Sequence, residues 1–264
     1  MQNKRRSRLN YDKAFNNVVV SRRKRGKRHM IEALTRRKLW GAALLLSCFF
    51  VMFTPSHALS FELRPVPKIG YCLFGEQRFD IIAIAVIGEI ADGMAAELEN
   101  KIQEVQNLIP MWNERDNKNY KLCQVDFQSP GGDVFEAMKI GRMIRRNGLE
   151  TWTGFSTSYC YSACVLAFSG GIFRFAFEND IGIHSFYSPS FIGTQDYENS
   201  EVFFDKVYTE VENFLREMRV PRAILDQMVS ISFQHLRHLT TQSLIDIGFL
   251  GFDPVYDQVT PRAP

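Results

Sequence analysis

The residues best suited to chemistry lie in three short stretches: "SPGG" at 129–132, "CYSAC" at 160–164 and "IGIHSF" at 181–186. Ser162 stands between Cys160 and Cys164, His184 follows it by 22 residues, and Gly131 and Gly132 precede it. A serine and a histidine within reach of one another can carry nucleophilic acyl transfer, with the imidazole taking the hydroxyl proton. Consecutive glycines let backbone N–H groups approach a developing oxyanion with no side chain in the way. Each motif alone has a plainer reading: a small packing residue, a satisfied histidine, a generic tight turn. Their order along one chain makes the combination specific. Cys160 and Cys164 can form a disulfide if both lie on one helical turn, or remain as buried thiols. No histidine stands at ligand spacing beside them, so a metal site is not expected.

These residues need a scaffold that brings strand ends together. "DIIAIAVIG" (80–88) is a nearly continuous apolar run of strand length, of the kind a sheet covered on both faces requires. A helix capped by Asp92 is expected next, with Met94, Leu98, Ile102, Val105 and Ile109 on one face and Pro110 ending it. "KLCQVDF" (121–127) reads as a second strand. "SPGGD" turns into a helix carrying Val134, Ala137, Gly141 and Ile144 on one face and closed by Asn147 and Gly148, and "LETWTG" (149–154) reads as a third strand. "IFRFAF" and "IGIHSF" form a short pair around a turn at 178–180, and 197–218 has helical apolar spacing. Alternating strands and helices with crossovers of this length predict parallel strands connected right-handedly. Both "SPGG" and "CYSAC" fall at strand-to-helix junctions, where a helix N-terminus offers unpaired amides and the positive end of its dipole.

The two ends differ sharply from this middle. Residues 1–38 hold 14 of the 32 Lys+Arg, whereas 39–58 hold no charged residue. From residue 59 onward, 18 basic residues face 27 acidic ones, so the folded part is acidic and no nucleic-acid partner is expected. Arg36, Arg37 and Lys38 before "LWGAALLLSCFFVMF", followed by Ser56, His57 and Ala58, read as an export signal, and "TRRKLW" resembles a twin-arginine signal. Residues 1–58 are therefore a basic leader and signal peptide, with translation expected to start at Met30. The alternative is an uncleaved anchor in the inner membrane through residues 39–58, although the apolar run is shorter than a span of ~20 residues needs. Export predicts a periplasmic protein whose cysteines meet oxidising conditions. Residues 59–79, with Pro65, Pro67 and Gly70, read as an extended lead-in. Residues 253–264 read as a mobile tail.

"SPGGDVFEAMKIGRMIRR", "CYSAC" and "IGIHSF" in this order, with "VIGEI" (86–90) before them and "LTTQSLIDIGFLG" (239–251) after, resemble the proteolytic subunit of Clp protease, ClpP, in the ClpP/crotonase superfamily. The resemblance covers residues 80–252, and the cysteines beside the serine look closer to the exported ClpP-like proteins of bacteria. It implies an α/β fold, a spiral of parallel strands and helices in repeated ββα units. It further implies a serine peptidase with Ser162 as nucleophile, His184 as general base, and Gly131, Gly132 and Ala163 as the oxyanion hole. A peptide or protein substrate, no cofactor, and assembly of like subunits go with that reading. The pattern departs in one place. Where the family carries the aspartate that orients its histidine, this chain has "SISFQHLRH" (230–238), with Ser232 opposite the aspartate; Asp226 and Asp246 are the nearest acids. Loss of such an aspartate can cost on the order of 10⁴ in rate. The rival expectation is therefore a catalytically silent ClpP-like module that binds an extended peptide or an envelope partner. A third, crotonase-type acyl-thioester chemistry, sits poorly with export. The aromatics Phe173, Phe175, Phe177, Phe186 and Tyr187 either line a groove for an apolar ligand or pack in the core.

Overall fold

The structure is a computed structural model that describes residues 60–65, 80–153, 158–188 and 197–253. The leader at 1–58, most of the lead-in and the tail beyond 253 lie outside the described residues. The described part is mixed α/β. In chain order its elements are β1 (Ser60–Pro65), β2 (Asp80–Ile87), α1 (Met94–Asp116), β3 (Tyr120–Ser129), α2 (Val134–Arg146), β4 (Glu150–Thr153), β5 (Tyr159–Tyr161), α3 (Cys164–Phe168), β6 (Phe173–Ala176), β7 (Ile181–Ile183), α4 (Tyr197–Glu217), α5 (Ala223–Val229), β8 (Arg237–Leu239), α6 (Thr241–Asp246) and β9 (Gly251–Phe252).

The sheet forks at β3. Along one side β3 pairs in parallel with β2 over almost its whole length. On its other side it pairs first with β4, through Gln124 to Asp126, and then with β5, through Gln128 and Ser129. One branch continues β4–β6–β9 and the other β5–β7–β8. The units β4-β5-α3 and β6-β7-α4 thus each give one strand to either branch before their helix, so the chain advances as repeated ββα units. Pairings inside the sheet are parallel, while the outermost strands β1, β8 and β9 run antiparallel to their neighbours. "IFRFAF" and "IGIHSF" therefore do not pair with each other. The turn between them carries the chain from one branch to the other.

Burial explains why these segments become these elements. Ala83 to Val86 of β2 are wholly enclosed, as its uninterrupted apolar run demands. Leu98, Ile102 and Val105 of α1 face the same core as Ala137, Ile140 and Ile144 of α2 and Val207, Val211 and Phe214 of α4. Two expected helix ends differ. The N-cap of α1 is Gly93, at φ 89° and with no side-chain cap, rather than Asp92. Glu136 supplies the missing cap from α2: its carboxylate accepts from the N–H of Ala95 at 2.7 Å and from Lys139 Nζ at 2.7 Å. Nor does Pro110 end α1, which runs on to Asp116. Ile109 and Trp112 on either side of the proline still pack on the core. Asn113 then clasps Tyr120 at the start of β3, accepting from its N–H at 2.5 Å and donating to its carbonyl at 3.4 Å.

At the far end of the β4–β6–β9 branch, Asp253 is completely buried and paired with Arg145 at 2.5 Å. Arg174, also buried, donates to the carbonyls of Phe249 (2.6 Å) and Gly171 (3.0 Å). Burial, with the nearby charge of Arg145, lowers its guanidinium pKa to about 10, against an opposing pull from Asp253. The first residue of the expected tail is thus part of the core. Among the described residues no helix is long and apolar enough to cross a membrane.

Candidate functional site

Three adjacent parallel strands, β3, β5 and β7, end together, and each end leads into one of the three motifs. Ser129 pairs with Cys160, and Cys160 and Tyr161 pair with Ile181 and Gly182. Past those pairs the chain reaches Gly131 and Gly132 after β3, Ser162 after β5, and His184 after β7. The sheet therefore brings together residues that are up to 53 positions apart in sequence.

Ser162 is the strained member. Its φ is 55°, in the left-handed region that non-glycine residues avoid at a cost of roughly 1–3 kcal/mol. The strain comes from reversing direction within two residues. The N–H of Ser162 still donates to the carbonyl of Gly182 at 2.8 Å, as a β5 residue would, while its own carbonyl already accepts from Val165 N–H at 3.1 Å in the first turn of α3. A serine pushed out on such a strand-to-helix turn is the geometry of a nucleophile elbow. The turn is bridged by a disulfide between Cys160 and Cys164, with Cα atoms 5.3 Å apart. Cys160 belongs to β5 and Cys164 to α3, so the two cysteines do not share a helical turn. Cys123 is disulfide-bonded as well. α3 is only five residues long, so the dipole help expected for Ser162 is small.

Gly131 and Gly132 lie against this elbow and owe their identity to it. A Cβ on Gly131 would fall 2.7 Å from Ser162 Cβ, 2.7 Å from the Tyr161 carbonyl oxygen and 3.0 Å from Ala163 N. A Cβ on Gly132 would fall 2.1 Å from the carbonyl oxygen of Ile90. Both residues have positive φ, 104° and 139°. Their amides divide in role. Gly131 N–H donates to Ser129 Oγ at 3.2 Å, whereas the N–H groups of Gly132 and Ala163 have no acceptor among the described residues. Amides left without an acceptor are the kind of group an oxyanion uses when a substrate carbonyl lies over a serine.

His184 is half-buried, and its Nδ1 lies 2.7 Å from the carbonyl oxygen of Ser185. A carbonyl only accepts, so in the neutral ring the proton sits on Nδ1 and the lone pair on Nε2. That is the tautomer a base requires. Neither Ser162 Oγ nor His184 Nε2 is hydrogen-bonded to another described group. Catalytic contacts of this kind often close only around a bound substrate. Next to the serine, Tyr161 packs on Tyr159 in a tilted pair with ring centroids 4.8 Å apart, and burial, followed by the charge of Asp180, pushes its phenol pKa up.

The weak candidates for a third member stand elsewhere. Asp226 is exposed and accepts from Arg222 Nε at 3.2 Å, while Asp246 is exposed and accepts from Gln242 Nε2 at 2.8 Å. The segment expected opposite the family's aspartate does reach the site, since Ser185 N–H donates to the carbonyl of Ile231 at 2.9 Å. It brings Ser232, not a carboxylate. Sequence reading missed the Ser185 carbonyl as a partner for His184, and no residue type signals a backbone contact of that sort.

The aromatics divide between the branches. Phe173, Phe175 and Phe177 pack with Trp152 and one another beside β4 and β6. Phe186 and Tyr187 lie just after His184 and join Phe203, Phe204 and Phe233 around a cavity of about 160 Å³. Tyr187 stacks on Phe233 at 5.0 Å, with its ring centroid 6.0 Å from that of His184.

No protein-family profile matches the chain, and no curated protein matches it. Among solved structures it is similar to a mutant ClpP1 from Listeria monocytogenes, at 14% identity over 64% of this chain and 88% of that one, with a TM-score of 0.42.

Proposed function

We propose that this chain is a ClpP-like serine hydrolase, an endopeptidase exported to the periplasm that works through an acyl-enzyme on Ser162. The observation that carries the reading is the left-handed Ser162 at the end of β5, packed against Gly131 and one strand away from His184. A substrate carbonyl placed over Ser162 is attacked by Oγ as His184 Nε2 takes the hydroxyl proton. The oxyanion then lies between the N–H groups of Gly132 and Ala163. Collapse expels the amine, which receives the proton from His184, and water attacks the acyl-enzyme by the same route in reverse. Cleavage of an extended peptide would let a substrate side chain enter the cavity beside Tyr187, lined by aromatic rings together with Ser188 and Ser200. The motif order in the sequence supports the ClpP-like assignment, and the leader supports export. Assembly of like subunits belongs to the same proposal.

The second reading, a silent peptide-binding module, is favoured by one observation: among the described residues no carboxylate bonds to His184, whose Nδ1 meets the carbonyl of Ser185 instead. A fluorophosphonate probe separates the two. Covalent labelling of the wild type that is abolished in both Ser162→Ala and His184→Ala supports the hydrolase. A folded wild type that stays unlabelled at high probe concentration leaves the binding module.

A further inference from the structure

The Cys160–Cys164 disulfide closes a ring that contains only Tyr161, Ser162 and Ala163 between its cysteines. Both cysteines are wholly buried. Constraint of the unfolded chain by a disulfide grows with the length of the loop it closes, so so short a ring does little of that kind. What it does is local: it ties Cys160, the middle residue of β5, to Cys164, the first residue of α3, across the turn at Ser162.

Backbone hydrogen bonds hold that residue on either side, but its side chain offers no compensation for the conformation. Four described non-glycine residues have positive φ: Asn117, Ser162, Asn179 and Arg219. Asparagine tolerates the left-handed region well. Arg219 follows the end of α4, where a left-handed residue commonly closes a helix. Ser162 is not an asparagine and leads into a helix rather than closing one, and its hydroxyl makes no local hydrogen bond among the described residues. Its left-handed turn also decides where the Ala163 N–H points, because that peptide lies between Ser162 and α3. Hydroxyl and amide would both move if the turn relaxed.

We infer that the Cys160–Cys164 disulfide is the positioning element of the site, holding Ser162 in its left-handed turn so that nucleophile and oxyanion amide converge, and that the site works only in the oxidised protein. The inference rests on the serine-hydrolase reading above for its chemical consequence. The switching step is an ordinary exchange: a dithiol donates two electrons and two protons, Cys160 and Cys164 become thiols, and the reagent closes to its own disulfide.

The test compares the oxidised wild type with Cys160→Ala/Cys164→Ala, which leaves the bond at Cys123 in place. Probe inactivation is resolved into its maximal rate and its half-saturating concentration, and the backbone ¹³C shifts of Ser162 report its φ. With circular dichroism unchanged, the maximal rate is expected to fall on the order of 10²-fold, as for a small misplacement of reacting groups. The half-saturating concentration stays the same, and the Ser162 shifts leave the left-handed range. A variant labelled at the wild-type rate overturns the inference while leaving the hydrolase intact. If the oxidised wild type is not labelled at all, the hydrolase reading fails, and shifts that do not move in the variant overturn the positioning role independently. Should that variant not fold, Cys160→Ser/Cys164→Ser, which likewise leaves the bond at Cys123 in place, is read by the same two measurements with the same deciding outcomes.

Discussion

The backbone N–H of Ser162 donates to the carbonyl of Gly182 across 2.8 Å, which sets the serine one residue short of level with His184 on the neighbouring strand. The serine thus keeps its strand pairing and pays for it in φ. Ser162→Gly removes both the hydroxyl and the strain. It is expected to raise thermal stability by about 1 kcal/mol, or roughly 2–4 °C for a domain of this size, while abolishing probe labelling. Calorimetry on the labelling-dead protein checks the first half, and a lowered Tm would argue against strain at this residue.

Gly131→Ala places a methyl group in contact with Ser162 Cβ and the Tyr161 carbonyl. Labelling should drop about 10²–10³-fold, the range seen when an oxyanion donor is displaced. Gly132→Ala meets the Ile90 carbonyl instead, at a backbone bridge between residues 90 and 132, and should lower stability as well as labelling. Comparing Tm with labelling rate in the two variants distinguishes a disturbed site from a disturbed fold.

Asp226→Asn and Asp246→Asn should leave the labelling rate within about twofold of wild type, since surface substitutions away from the site are nearly neutral. Asp226 bonds to Arg222, just before its helix, and Asp246 to Gln242 on its own helix. A large loss in either variant would show that the chain rearranges to bring that acid to His184.

Glu136 carries a pH prediction. Burial raises its pKa, but the hydrogen bonds from Lys139 and the Ala95 N–H outweigh it, so the carboxyl is held below its ordinary range. A depressed folded pKa contributes stability above the unfolded value, ~4.3 for glutamate, and that contribution is lost as pH falls through the folded value. The Tm advantage of wild type over Glu136→Gln should therefore be full at pH 7 and close progressively below about pH 4.3. An advantage that persists unchanged to lower pH would rule out the carboxylate as its source.

Arg174→Ala removes a buried guanidinium from two carbonyls and from the neighbourhood of Asp253. The expected loss is about 3–5 kcal/mol, readable by denaturant titration, because the remaining groups stay buried without their donor.

Much of this architecture is written in periodicity. The apolar run of β2, the spaced faces of α1, α2 and α4, and the strand-to-helix junctions at "SPGG" and "CYSAC" all appear where hydrophobic pattern and turn residues place them. What stayed hidden depends on tertiary contacts. α1 passes Pro110 because Trp112 finds the core beyond it, and Gly93 begins that helix because a glutamate from another helix meets its amides. The short strands β8 and β9 are too brief to show a period; they exist because β7 and β6 offer open edges. Within the site, the residue types and their order were legible. The division of the glycine amides and the Ser185 contact were not, since both belong to the backbone. Asp253 looked like part of a tail because its ion-pair partner lies 108 residues away.

The enclosure of α3 has a kinetic side. Cys164 to Phe168 are all buried, on a segment joined on one side to the elbow and on the other to the glycines at 170–171. Amides in such a segment have no route to solvent through a small local opening. Their hydrogen exchange should proceed at the rate of global unfolding, so the seat of Ser162 would be among the last parts of the molecule to take up deuterium, even though the hydroxyl it presents is within reach of solvent.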